Sequence, residues 1–332
     1  MKKLLVTLLA IWAIQQSAWA APQASPKALK KAQASSQAKA PTRAKIKSRT
    51  AVARQKLHSA RSHSEKVQPV RLGAALRESA GHPDLKSSSA FVVDESGRTL
   101  YAKNITSVQP IASITKLMTA MVVLDAKLDL SDPVTISEDD VDAIKHTRSR
   151  LPVGTVLTRD DLLRLALMAS ENRAASALSR AYPGGSPAFV AAMNRRAVEL
   201  GMTSTHFNDS TGLSRENVST AEDLAKMVAA AYRFPIIQQY TTLTDHSVRS
   251  NRGRMLAYHN SNGLVRSDDW TIDVSKTGYI SEAGRCLVMQ ARISATPVII
   301  VLLDSWGRYT RIADANRVKK WVESQLARPA PG

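Results

Sequence analysis

Cysteine is almost absent from this 332-residue sequence, which has a single one at position 286. One cysteine cannot form an internal disulfide, and none lies near the start of the chain where a lipid anchor would be attached. Cys286 sits in the apolar run GRCLVMQARI, which predicts a strand and a buried, unreactive thiol.

Long hydrophobic runs are missing as well. The apolar run at the N terminus, from Leu4 to Ile14, is too short to cross a bilayer. It follows two lysines and precedes Ala18-Trp19-Ala20, which is typical of a secretory signal peptide cleaved after Ala20. We therefore predict that residues 1–20 are removed and that the mature protein is exported and soluble. An uncleaved signal anchor is the alternative.

Acidic residues are scarce, since 28 Asp and Glu accompany 46 Lys and Arg for a net charge of +18. Residues 21–70 hold twelve of the basic residues, one acid and no Phe, Tyr or Trp. Such a segment buries too little apolar surface to fold, so we predict a disordered basic tail. Export and the lack of stacking aromatics exclude nucleic acid as its partner. Anionic envelope polymers fit its charge, and a plain solvated linker is the alternative.

Metal-ligand patterns are absent from the sequence. The seven histidines include no HExxH motif and no evident paired spacing, so we predict no metal and no cofactor. A Cys-His hydrolase has no motif support either, because no histidine follows Cys286.

The remaining residues, 71–332, have the length of one domain with at most two lobes. SSSAFVVDESGRTLYAKN predicts a β-hairpin that turns at residues 94–97. Strand patterns return in TIDVSK, RCLVMQARI and PVIIVLL near the C terminus. The sequence therefore predicts an α+β fold, with one sheet built from both ends of the chain and a helical lobe inserted between them. Helical spacing covers residues 113–126, 159–181, 187–200, 220–233 and 310–325.

One lysine stands out in the first of these helices. In PIASITKLMTA, Lys116 follows Ser113 by one helical turn, and the helix around it is apolar on nearly every side. No acid lies close to Lys116 along the helix, so burial should lower its pKa and make the neutral amine accessible. A neutral amine beside a hydroxyl is a general base beside a nucleophile. Alone, this four-residue pattern is also compatible with an ordinary helix.

Two further motifs follow in order along the chain. Ser170-Glu171-Asn172 interrupts an apolar helical run, and Lys276-Thr277-Gly278 stands at the predicted end of a strand. The three motifs together resemble the low-molecular-mass DD-peptidases of the penicillin-binding family, peptidase family S11, over residues 85–326. The resemblance extends to STGLSRENVSTAEDLAKM and KTGYISEAGRCLVM, and is greatest to the endopeptidases of penicillin-binding protein 7 type.

This resemblance implies a β-lactamase/transpeptidase-like fold and a role for each motif residue. Ser113 would form the acyl-enzyme, Lys116 would be its base, and Ser170 would pass a proton to the leaving amine. The substrate would be bound by Asn172, Lys276, Thr277, Gly278, the backbone N–H of Tyr279 and, by a looser match in the turn before the last helix, Arg311. The reaction would be periplasmic hydrolysis of D-Ala-linked peptide bonds in peptidoglycan, and β-lactams would acylate the same serine.

Departures from relatives favour one branch. Class A β-lactamases place a glutamate four residues before an asparagine between the second and third motifs, and none of the glutamates in that interval has this spacing. Efficient β-lactam hydrolysis is therefore not expected. The chain ends at Gly332, without the further C-terminal domain usual in DD-carboxypeptidases, which favours a DD-endopeptidase. A DD-carboxypeptidase and a non-catalytic cell-wall binding protein are the alternatives.

Overall fold

The structure is a computed structural model that describes residues 81–327. The predicted signal peptide, the predicted basic tail and the first ten residues of the predicted domain 71–332 lie outside the described residues. Within residues 81–327, no helix is both long enough and apolar enough to span a membrane.

The described residues contain strands and α-helices in the following order. The strands are β1 (Ser87–Asp94), β2 (Thr99–Lys103), β3 (Gln109–Pro110), β4 (Pro133–Thr135), β5 (Val156–Thr158), β6 (Val218–Ser219), β7 (Asp245–Arg249), β8 (Met255–His259), β9 (Thr271–Ile280), β10 (Gly284–Ile293) and β11 (Thr296–Ser305). The helices are α1 (Lys116–Asp125), α2 (Arg159–Met168), α3 (Asn172–Arg180), α4 (Gly185–Glu199), α5 (Ala221–Ala231), α6 (Pro235–Thr242) and α7 (Thr310–Leu326).

The main sheet joins the two ends of the described chain. Its five antiparallel strands run in the order β2-β1-β11-β10-β9, so the N-terminal hairpin pairs with the last strand of a C-terminal meander. Helices α1 to α6 are inserted between the two halves of the sheet. This confirms the predicted α+β layout, in which the sheet is built from both termini around a helical lobe.

Each face of the sheet packs against helices because apolar residues occupy both faces of its central strands. Val92 of β1 and Leu302 of β11 face α7, where they pack with Val318. Their neighbours Phe91 and Val301 face the opposite way, toward α5 and the helical lobe. Burial of each such side chain contributes about 1.5–3 kcal/mol, so both faces need cover from water.

The helices largely follow the predicted spans, except that α6 was not predicted, and the two predicted caps are present. Thr158 and Thr220 accept hydrogen bonds from the backbone N–H of Asp161 and Asp223, which begins α2 and α5. The predicted span 159–181 is wrong as a continuous helix, because α2 ends at Met168 and α3 begins at Asn172.

The last motif also lies differently from its prediction. Lys276-Thr277-Gly278 is inside β9, which continues to Ile280, and not at the end of the strand. An irregularity in the pairing with β10, near Asp273, breaks the alternation of side chains. Ile272 consequently packs with α7, whereas Val274 packs on the helical-lobe side, although a strict period of two would place both on one face.

Candidate active site

The turn that carries Ser113 is held in an unusual backbone conformation. Ala112 has a φ of 48°, and residues Ala112–Thr115 form a 3₁₀ turn that leads into α1. The strand β9 can approach this turn only because residue 278 is glycine, since a Cβ there would lie 2.9 Å from the carbonyl oxygen of Ile111. A non-glycine residue in the left-handed region is strained, so surrounding contacts must hold the Ser113 turn in place.

Lys116 is buried directly behind Ser113, with 1% of its surface exposed. Its Nζ lies 2.9 Å from the Oγ of Ser113, 2.7 Å from the Oδ1 of Asn172 and 2.6 Å from the carbonyl oxygen of Thr211. All three partners are neutral. The amine is therefore fixed by oxygen atoms and has no carboxylate in hydrogen-bond contact.

The electrostatic surroundings of Lys116 lower its pKa to about 8, and burial is the main cause. More distant carboxylates act in the opposite direction, first Asp209, then Glu171 and Asp142. The shift from 10.5 corresponds to roughly 3 kcal/mol against the charged form. A substantial fraction of the amine is thus neutral near pH 8, as expected of a general base.

A second hydroxyl–amine pair faces the first. Ser170 lies in the break between α2 and α3 with a φ of 61°, and the Nζ of Lys276 lies 2.9 Å from its Oγ. Lys276 is fully buried, and burial, the charge of Lys116 and the charge of Arg311 lower its pKa well below the usual range. Two buried amines with no carboxylate between them favour the binding of an anionic group, which would stabilise their charged forms.

Asn172 connects Lys116 to a loop of the helical lobe. It is the first residue of α3, and while its Oδ1 accepts from Lys116, its Nδ2 donates to the Oγ1 of Thr147. Thr147 is itself held by the carboxylate of Asp142, which accepts from its N–H and its hydroxyl. Thr147 could not be predicted from the sequence, because no local motif marks this long-range contact.

The strand β9 supplies the predicted residues Thr277, Gly278 and Tyr279 at an edge of the main sheet. The Oγ1 of Thr277 lies 2.7 Å from the Oγ of Ser261, which the sequence reasoning also missed. Gly278 packs against the Ser113 turn, because a Cβ added at residue 278 would lie 3.2 Å from the backbone nitrogen of Ser113. The side chain of Tyr279 points outward and is 57% exposed, so only its backbone belongs to the candidate site.

Arg311 lies in the first turn of α7, which corrects the prediction that it precedes the last helix. Its Nη1 donates to the carbonyl oxygens of Gly278 and Cys286, at 2.9 and 3.2 Å. The guanidinium therefore links β9 to β10 beside the Lys276-Thr277-Gly278 motif. It is close enough to influence Lys276 but makes no hydrogen bond to Ser113.

A polar segment after α4 completes the surroundings of Lys116. The carboxylate of Asp209 accepts hydrogen bonds from the backbone of Thr211, Gly212 and Ser214, which shapes the turn and aims the Thr211 carbonyl at Lys116. Asn217 braces the turn by donating to the carbonyl of Asp209. The cluster of Asp, Ser, Thr and Gly in the sequence is the signal of a polar turn that could have identified it.

A salt bridge and a cavity lie near these residues. Lys145, in the loop before Thr147, forms a salt bridge with Glu282 in the turn between β9 and β10. A cavity of about 500 Å³ extends beside Asn172 and Thr211 into the helical lobe. Among residues 81–327, no group of three or more His, Cys, Asp or Glu side chains could hold a metal ion.

Comparison with known proteins matches this geometry to one group. A family model described as D-alanyl-D-alanine carboxypeptidase, Peptidase S11, matches residues 76–307. D-alanyl-D-alanine endopeptidases of Pseudomonas aeruginosa and Escherichia coli K12 are each 44% identical, covering 77% of this chain and 82% and 84% of theirs. The crystal structure of the Streptomyces K15 DD-transpeptidase superposes with a TM-score of 0.68 at 29% identity, covering 73% of this chain and 98% of that one.

Proposed function

This chain belongs to the S11 family of D-alanyl-D-alanine carboxypeptidases, and on that premise we propose that it hydrolyses D-Ala-linked peptide bonds of peptidoglycan through an acyl-enzyme on Ser113. The observation that carries the proposal is the 2.9 Å contact between the Oγ of Ser113 and the buried Nζ of Lys116. Because burial lowers the pKa of that amine to about 8, the neutral form can accept the hydroxyl proton.

In the first step, Lys116 takes the proton from Ser113 while the Oγ attacks the carbonyl carbon of D-alanine. The backbone N–H groups of Ser113 and Tyr279 stabilise the oxyanion. Ser170 delivers its proton to the leaving nitrogen as the C–N bond breaks. The contact of Ser170 with Lys276 supports this relay, since the amine can hold the hydroxyl in position. The proton that Lys116 took from Ser113 then restores the hydroxyl of Ser170, which leaves Lys116 neutral.

In the second step Lys116, neutral again, takes a proton from the attacking water and returns it to the Oγ of Ser113 as the ester bond breaks, which releases the D-alanyl carboxylate and free Ser113. Lys276 and Thr277 bind the anionic part of the substrate, and Asn172 positions both the substrate backbone and Lys116. Arg311 helps to position Lys276 and Thr277, because it donates hydrogen bonds to the carbonyl oxygens of Gly278 and Cys286 on β9 and β10. β-Lactams acylate Ser113 by the same first step and inhibit the enzyme, because their acyl-enzymes deacylate slowly.

We favour the endopeptidase reaction, cleavage of D-alanyl-diaminopimelyl cross-links. Relatives that are 44% identical over most of both chains are named D-alanyl-D-alanine endopeptidases, which supports this choice. Removal of terminal D-Ala is the second candidate, because the family description names carboxypeptidases.

The substrate also suggests where the protein works. We propose that residues 1–20 direct export, that the enzyme acts in the periplasm, and that residues 71–332 form the peptidase domain. The basic tail, 21–70, would hold the enzyme near anionic envelope polymers. Deletion of the tail should weaken sacculus binding at low salt and reduce its salt dependence, and no change in either would make it a linker.

Digestion of purified muropeptides tests the reaction. Cross-linked dimers should disappear while pentapeptides remain intact, and the Ser113→Ala variant should leave both unchanged by mass spectrometry. Release of terminal D-Ala alone would identify a carboxypeptidase. A fluorescent penicillin tests the nucleophile independently, since labelling that persists in Ser113→Ala would contradict the assignment of Ser113.

A further inference from the structure

Exposed aromatic side chains are concentrated at one end of the sheet. Among residues 81–327, Tyr279, Trp306 and Tyr309 are the aromatic members of the exposed large hydrophobic residues, at 57, 84 and 69% exposure. The other large aromatic side chains of this region are buried or half-buried. Exposed rings gathered in one place indicate a surface that contacts another molecule.

The strand register brings these residues close together. Arg285 of β10 pairs with Tyr279 on one side and with Ser305, the residue before Trp306, on the other. Adjacent strands are about 4.8 Å apart, so Tyr279 and Ser305 are separated by roughly 10 Å across the sheet. Tyr309 follows Trp306 by three residues, at the start of α7.

Two arginines accompany the rings. The guanidinium of Arg285 lies 4.5 Å from the ring centre of Tyr279, and that of Arg308 lies 5.5 Å from the ring centre of Tyr309. We name these residues the aromatic–arginine patch: Tyr279, Arg285, Trp306, Arg308 and Tyr309.

The charge of the aromatic–arginine patch is positive. Within the described part of the chain, neither of its arginines forms a salt bridge, and the nearby Glu282 is paired with Lys145. Asp304 is engaged as well, because its carboxylate accepts a hydrogen bond from Ser88. The exposed surface therefore offers rings and cations together, which suits an anionic partner that also has apolar faces.

The aromatic–arginine patch adjoins the candidate active site. Tyr279 directly follows Gly278, which lies against the Ser113 turn. A Cβ added at Gly278 would lie 3.2 Å from the backbone nitrogen of Ser113. A polymer that delivers a peptide to Ser113 along β9 would therefore pass beside these rings.

We propose that the aromatic–arginine patch binds the sugar chain of peptidoglycan and the anionic groups attached to it. Pyranose rings present apolar C–H faces that stack on Trp and Tyr, while arginines attract the carboxylates of neighbouring stem peptides. The inference rests on the proposed function, which supplies peptidoglycan as the substrate. It adds a contact with the polymer outside the site that would hold the peptide. Binding of intact cell wall should therefore depend on the aromatic–arginine patch, whereas cleavage of small soluble fragments should not.

Sacculus binding tests the inference in the full chain. We would compare Ser113→Ala with Ser113→Ala carrying Trp306→Ala and Tyr309→Ala, in pull-downs with purified sacculi at about 0.3 M salt, where charge interactions of the tail are screened. We expect the added substitutions to weaken binding at least about fivefold, as loss of exposed stacking contacts does. Val198→Ala is the matched control, because Val198 is 77% exposed on α4, and it should bind normally.

Measurements of acylation and digestion distinguish failure of this inference from failure of the proposed function. With Ser113 intact, the Trp306→Ala/Tyr309→Ala variant should acylate with fluorescent penicillin and cleave soluble dimers at the parent rate, but should digest sacculi at least about fivefold more slowly. Unchanged binding and digestion of sacculi would overturn the inference. If the double variant loses penicillin acylation, sacculus binding is compared between Trp306→Phe and Trp306→Leu instead. Stacking predicts that the Phe variant retains binding and the Leu variant loses it, and equal binding by the two would overturn the inference. Failure of the parent protein to acylate would contradict the proposed function alone.

Arg308→Gln tests the anionic part of the partner. It should reduce the salt dependence of sacculus binding, whereas Arg252→Gln, on the exposed loop between β7 and β8, should not. The parent protein and Trp306→Ala are also tested with anionic lipid vesicles. If Trp306→Ala abolishes binding to the vesicles but leaves binding to sacculi unchanged, the aromatic–arginine patch contacts a membrane surface and the inference is overturned.

Discussion

The pH dependence of acylation follows from the surroundings of Lys116. If its neutral amine is the base, the rate is proportional to the neutral fraction, which is about 1% at pH 6, about 10% at pH 7 and half at pH 8 for a pKa of about 8. Acylation by penicillin should therefore accelerate about tenfold from pH 6 to 7, about fivefold from 7 to 8, and less than about twofold from 8 to 9. Because Lys116 must lose a proton before it can act as the base, the acylation rate falls as the pH falls.

The measurement is the rate of labelling by a fluorescent penicillin at subsaturating concentration, in which each molecule reacts once. Lys116→Arg serves as the control, because a guanidinium stays protonated and cannot accept the proton of Ser113. It should slow acylation by about 100-fold or more and abolish the rise with pH. Ser170→Ala should lower the rate at every pH, because the relay to the leaving nitrogen is removed.

Two results would refute this reasoning. A rate that is constant from pH 6 to 9 would mean that no group with a pKa in this range controls acylation. A rise centred near 10.5 would mean that burial does not lower the pKa of Lys116, contrary to its 1% exposure and the lack of a carboxylate among its hydrogen-bond partners.

Three further predictions concern single residues. Gly278→Ala should slow acylation by about 100-fold, measured with the same probe, because its Cβ would displace the Ser113 turn; a rate near that of the parent would contradict this. Glu171→Gln should shift the acylation profile to lower pH, since it removes a charge that raises the pKa of Lys116; an upward shift would be inconsistent. Burial raises the pKa of Cys286 to about 11, so iodoacetamide at pH 8 should modify it only after unfolding, as judged by mass spectrometry; rapid modification of the folded protein would show that the thiol is accessible.

Several features of the fold could be predicted from local patterns alone. The hairpin turn, the caps at Thr158 and Thr220, and the apolar surroundings of Lys116 each depend on residues within a few positions of one another. The spacing of Ser113 and Lys116 within one turn also places the two side chains together without reference to the rest of the chain.

Other features could not be predicted, because they depend on contacts between distant residues. The break at Ser170 interrupts a pattern that is helical on both sides, and it is stabilised by the contact of Ser170 with Lys276, 106 residues away. Similarly, the Thr211 carbonyl reaches Lys116 across 95 residues. The irregular pairing near Asp273 reverses the face of Ile272, which no period-two pattern can indicate.

By itself, the sequence determined which chemical groups are present, their order along the chain, and the local helix that pairs Ser113 with Lys116. Only the tertiary structure decided that Lys276 meets Ser170, that Gly278 lies against the Ser113 turn, and that exposed rings lie near Gly278. The physical reason is that local hydrogen bonds and periodicity act over a few residues, whereas burial and the pKa shifts it causes arise only when distant segments exclude water together.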